Sequence, residues 1–204
     1  MNTDTAAERL TNEVQKIIAA VEQRTGLSSR WNGEVVVVDS ISALLLSRKP
    51  FLAKKEWSCR ITRLEQIASS DLRWRSLIHE ALHSVSAGNR EADYVAFIGW
   101  EEGVVESLQR LYRPELLKEI GVSIPETVFT EAEQNWAFEP FIVALRRLHA
   151  ELPNVSEQVF MEMLLKTPLY RRSAEVLAWG KRDAADPAAF VRVFAQVSSV
   201  LRRG

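Results

Sequence analysis

The stretch SSDLRWRSLIHEALHSVSAGNREADYVAFIGWEEG, residues 69–103, carries the strongest pattern in the chain. Ser69 or Ser70 can cap a helix, and Asp71 favours the positive end of its dipole. The helix predicted from this point runs to about Ala87, where Gly88-Asn89 stops it. Within it stands His79-Glu80-Ala81-Leu82-His83. Positions four apart share a helix face, so both imidazoles can reach one metal ion. Glu80 lies about 100° around the helix from His79, beside such an ion rather than on it, where it can take a proton from an activated water. The chain has three histidines, and two of them fall in this motif.

A second helix is predicted from about Arg90 to Tyr112, ending before Pro114, with an apolar stripe through Val95, Ile98, Val105, Leu108 and Tyr112. Trp100-Glu101-Glu102-Gly103 lies within it, and eighteen residues separate His83 from Glu102. Glu102 falls on the apolar stripe, where a carboxylate is costly unless it is paired or bound to metal. Its neighbour Glu101 points about 100° away and is expected in solvent. His79, His83 and Glu102 thus form a candidate ligand set that leaves a fourth position open, and two imidazoles with a carboxylate favour Zn2+. Glu106, one turn after Glu102, has two readings: it accepts the free ring N–H of a ligating histidine, or it pairs with Arg110 four residues on.

His79-Glu80-x-x-His83, the eighteen-residue spacing and Glu102-Gly103 together resemble the gluzincin zinc metallopeptidases, which include thermolysin-like enzymes and a class of aminopeptidases. The Trp-Glu-Glu-Gly segment is similar to the Trp-x-Asn-Glu-Gly stretch that bears the glutamate ligand in those aminopeptidases. The resemblance covers Ile78 to Leu108. It implies that His79, His83 and Glu102 bind zinc, that Glu80 is the general base, and that Glu106 supports a ligand as in thermolysin-like enzymes. Tyr94, eleven residues after His83, matches the spacing of their tyrosine oxyanion donor; the competing reading is a core or helix-start tyrosine. A metzincin would need a glycine and a third histidine where this chain has Ser86 and Asn89. The Gly-rich stretch that marks the aminopeptidases as exopeptidases is absent too, so aminopeptidase activity does not carry over. His149, in Arg146-Arg147-Leu148-His149, is a further candidate catalytic group approaching from C-terminal helices, against the reading of a solvated histidine.

The remaining sequence gives the setting. The chain has 204 residues, 47% hydrophobic and 26% charged, which suits a soluble globular protein of one domain or one with a helical appendage. A net charge of −1 gives no general electrostatic grip on nucleic acid or a membrane surface. The single cysteine, Cys59, rules out an internal disulfide framework and fits a reducing compartment. With no secretory signal pattern and no run of about 18 apolar residues, the expectation is a cytoplasmic protein. Residues 5–25 read as an amphipathic helix. Glu34 to Val38 reads as a buried strand, and Trp57 to Thr62 as a second, whose edge would receive an extended peptide. Arg48-Lys49 and Lys54-Lys55 read as a solvated basic loop. From Glu115 onward, prolines punctuate shorter helices, and Thr167-Pro168 and Asp186-Pro187 each look like a cap followed by a first helical proline.

The expected fold is therefore α+β and mostly helical. A small N-terminal β-sheet lies over the HExxH active-site helix, with a zincin-like core over 1–113 and a helical C-terminal lobe over 114–204. The expected function is zinc-dependent hydrolysis of a peptide or protein substrate. The alternatives are a non-catalytic metal-binding interaction protein of inactive zincin-like fold, and a helical protein whose HExxH is coincidence. The pattern leaves the oligomeric state open.

Overall fold

The computed structural model describes residues 6–38, 53–55, 61–64, 70–88, 90–134 and 136–202. The chain is mostly helical. Its helices are α1 (Ala6–Thr25), α2 (Leu72–Val85), α3 (Glu91–Glu119), α4 (Glu126–Glu133), α5 (Glu139–His149), α6 (Glu157–Lys166), α7 (Arg172–Asp183) and α8 (Pro187–Arg202). Three short strands, β1 (Val35–Val38), β2 (Ala53–Lys55) and β3 (Ile61–Leu64), pair in the order β1-β3-β2. β1 runs parallel to β3, with Val35 opposite Ile61, and β2 runs antiparallel to β3. Val35–Val38 is half-buried rather than buried, with Val37 exposed. Of the expected Trp57–Thr62 strand, residues 57–60 lie outside the described residues, as do Cys59, Arg48, Lys49 and the Ser69 cap.

The chain divides into two compact units, residues 1–85 with 112–134, and residues 86–111 with 135–204. In the first unit, α1 and β2 lie against α2. The buried face of α1 is Val14, Ile17, Ile18 and Val21, at the i, i+3, i+4, i+7 spacing of an amphipathic helix. Ser70 Oγ accepts from the Leu72 amide at the start of α2, and the Ser84 carbonyl at its end accepts from the Arg30 amide. Within α2, residues 74–85 are buried without a break.

A buried ion network belongs to the same unit. Glu133 accepts from Arg75 Nε at 3.2 Å and from Arg113, which also pairs with Glu126 and lies over the Phe129 ring. Burial lowers the Arg113 pKa, but the hydrogen bonds and charges of Glu126 and Glu133 outweigh it, and the group ends above its ordinary value.

The second unit joins the first part of α3 to α5–α8. α8 packs on α5 and α7, and α5 on α6. A Cβ at Gly180 would lie 2.0 Å from the Phe190 ring, so glycine is what lets α7 approach this side chain. The turn after α2 is fixed by Gly88, at φ +64°, where a Cβ would meet Pro168 at 3.0 Å. Asp186 caps α8 as expected, its Oδ1 accepting from the amides of Ala188 and Ala189. Thr167 does not cap the short helical turn at Leu169–Arg171: its hydroxyl bonds back to the Met163 carbonyl and closes α6.

Two readings of α3 change. The helix does not end before Pro114 but runs through it to Glu119. The break lies instead at Phe97, whose φ −134° and ψ 31° interrupt the helical course. That break puts the residues before it out of phase with the later stripe. Val95 is accordingly exposed, while Val104, Val105, Leu108 and Tyr112 have no exposed surface. Among the tryptophans, Trp74 and Trp100 are core, whereas Trp31, Trp136 and Trp179 are half-buried. No helix among the described residues is long and apolar enough to cross a membrane.

Replacing Glu133 by glutamine keeps its shape but removes the charge shared by Arg75 and Arg113. Breaking a buried pair in this way costs on the order of 3 kcal/mol, and urea unfolding of Glu133→Gln is expected to show a loss of that size.

Candidate metal centre

His79 sits in the middle of α2 and His83 in its last turn, at 8% and 6% exposure, with Glu80 at 8%. Burying these polar groups costs free energy unless a partner is supplied. The histidine Nε2 atoms lie 3.1 Å apart and the rings meet edge-on, with centroids at 4.7 Å. Two nitrogens bound to a tetrahedral ion at about 2.0–2.1 Å would lie about 3.3 Å apart, so the pair is close to a ligating arrangement.

Glu102 lies on α3 after the Phe97 break, within a run, residues 99–109, that is buried throughout. Its carboxylate is 3% exposed and accepts a hydrogen bond from the Tyr94 hydroxyl. That bond orients the carboxylate within the buried run. Among the described residues, His79, His83 and Glu102 form a group able to hold a metal ion. Each offers one ligand atom, and these atoms lie within 4.8 Å of one another. Two imidazoles and a carboxylate fit zinc by donor chemistry.

The other sequence-derived candidates take definite places. Tyr94 is half-buried and spends its hydroxyl on Glu102. Glu106 has no exposed surface and accepts from Arg110 Nε at 3.2 Å; Arg110 also pairs with Glu139 at 2.9 Å. The Arg110 pairing foreseen from spacing is present, but as a buried link rather than a surface one. His149 stands outside the group: its Nε2 donates to the Val155 carbonyl at 2.6 Å, beside the Phe160 ring. It serves the turn that ends α5.

Glu101 overturns its expectation. It is not in solvent but has no exposed surface, and neither has its partner Arg172 at 2.7 Å. Arg172 also donates to Ser86 Oγ at 2.7 Å, to the Trp100 carbonyl at 3.0 Å and to the Thr167 carbonyl at 3.2 Å. Ser86 in turn donates to Glu101 at 2.9 Å. Burial lowers the Arg172 pKa, and the charge and hydrogen bond of Glu101 oppose that. Nothing in the sequence marks Arg172, an arginine far along the chain with no motif. Nor does the sequence mark Glu101, whose burial follows from the elements that cover residues 99–109 of α3.

No protein-family model matches this chain, and comparison with curated proteins and with solved structures gave no match either.

Tyr94→Phe removes a hydrogen bond to an ionised group, an interaction worth roughly 1.5–3 kcal/mol. Metal-free Tyr94→Phe protein is expected to lose stability toward the low end of that range in chemical unfolding, since the tyrosine is half-buried.

Proposed function

We propose that this protein is a zinc-dependent metallopeptidase of gluzincin type, with His79, His83 and Glu102 as metal ligands and Glu80 as general base. The observation that carries this reading is the buried imidazole pair, 3.1 Å apart, on the helix that also bears Glu80. The grouping of Glu102 with the two histidines supports it, as does the resemblance of residues 78–108 to the gluzincin segment. The strands and α2 are then read as the sheet and active-site helix of a zincin-like α+β fold. A single cysteine and a near-neutral charge suit the cytoplasm and a peptide or protein substrate.

Zinc in such a donor set supplies a Lewis acid that polarises a peptide carbonyl and makes water acidic. The chain's own groups do the rest. The Glu80 carboxylate takes a proton from the attacking water as its oxygen bonds to the carbonyl carbon. It then returns that proton to the amine nitrogen as the C–N bond breaks. Neutral His79 and His83 each offer one ring nitrogen to the ion. Tyr94 orients the Glu102 carboxylate through its hydroxyl. Glu106, held by Arg110, places a second carboxylate one turn along the same helix, where it can steady a ligand.

Elemental analysis of the purified protein is expected to find about one zinc per chain, lost in His83→Ala. With the metal at 100 times its dissociation constant, binding adds about 2.7 kcal/mol of stability, so chelation should lower the melting temperature of the wild type and leave His83→Ala unmoved. Glu80→Gln should keep the zinc and lose 100-fold or more of the cleavage rate on a mixed peptide library. Zinc retained with no cleavage by the wild type would overturn the peptidase; no zinc uptake would overturn the metal centre as well.

A further inference from the structure

Glu102 sits in the second segment of α3, which runs unbroken from beyond Phe97 to Glu119. The Phe97 angles interrupt α3 five residues earlier, so the helical phase is not transmitted from the first segment. Contacts from outside the helix add to what that segment fixes. A Cβ at Gly99 would lie 2.7 Å from the Leu201 Cα, and one at Gly103 would lie 2.8 Å from Leu145 Cδ1. These contacts, with the backbone at Leu201 and the side chain at Leu145, hold the turn that carries Glu102 close to α8 and α5. Directional contacts come from the Tyr94 hydroxyl, which binds Glu102 itself, and from Arg172, which binds the Trp100 carbonyl and the Glu101 carboxylate on the two residues immediately before it. Its guanidinium is planar, and it stands at the first position of α7, so its fork of donors has a defined direction. An ion pair this deeply buried contributes little net stability over apolar residues of similar volume. Its contribution is orientation.

We propose that Arg172 is a positioning residue for the metal centre: clamped to Glu101 and the Trp100 carbonyl, it sets the rotation at which Glu102 presents its carboxylate to the ion. The inference rests on the metal reading above and adds a residue that touches neither metal nor substrate. Partners that orient a metal ligand typically change affinity by about 10–100-fold when they are lost.

The test separates orientation from folding. Arg172→Met alone strands a buried carboxylate and is expected to destabilise the chain, so the informative variant is the double replacement Glu101→Leu with Arg172→Met. The metal-free double variant is expected to melt within a few degrees of the metal-free wild type. Its zinc affinity, measured by competition with a chromophoric chelator, should fall by about 10-fold or more. Arg172→Lys keeps a charge opposite Glu101 but loses the fork, and should fold while binding zinc several-fold more weakly. Wild-type affinity in a folded double variant or in Arg172→Lys would overturn the proposal while leaving the metal centre standing. A wild type that takes up no zinc would overturn both.

Discussion

Charge without access to water is the constraint on which this structure turns. Residues 74–86 and 99–109 are buried without interruption, yet they include Arg75, His79, Glu80, His83, Glu101, Glu102 and Glu106. An isolated charge in such surroundings would cost several kcal/mol, so the packing is organised around meeting that cost. Arg75 is matched by Glu133, Glu101 by Arg172, Glu106 by Arg110 and Glu102 by the Tyr94 hydroxyl. The first two pairings join distant parts of the chain that the apolar pattern alone would not bring into register, and the last two lie within α3.

The helix starts and stops were legible because local chemistry decides them. Gly88 takes a left-handed conformation after α2, and Asp186 caps α8 with its own carboxylate. The histidine pair was legible for the same reason, since a spacing of four on a helix fixes its geometry whatever surrounds it. The burial of Glu102 was legible because the residue falls on the apolar stripe of its helix.

What escaped the sequence depended on distant contacts. The Phe97 break has no proline to announce it, and the stripe drawn through Val95 failed there. Pro114 was read as a stop, but a proline removes one donor and α3 continues past it to Glu119. Glu101 was assigned to solvent because helix geometry puts it away from Glu102, an argument that assumes one wet face. Trp100, with no exposed surface, lies directly beside it, and burial on this scale can be known only when the elements that cover the helix are in place.

The chain visits the two units alternately: 1–85 in one, 86–111 in the other, 112–134 back in the first, and 135–204 in the second. Neither unit is a continuous segment, so no single cut releases one intact. Synthesis from the N-terminus imposes an order on this arrangement. The unit that holds the histidine pair is complete once residue 134 has emerged, whereas the turn bearing Glu102 stays without its arginine clamp until α7 is made. Arg172 thus meets Trp100 and Glu101 only after every residue of the first unit has been made.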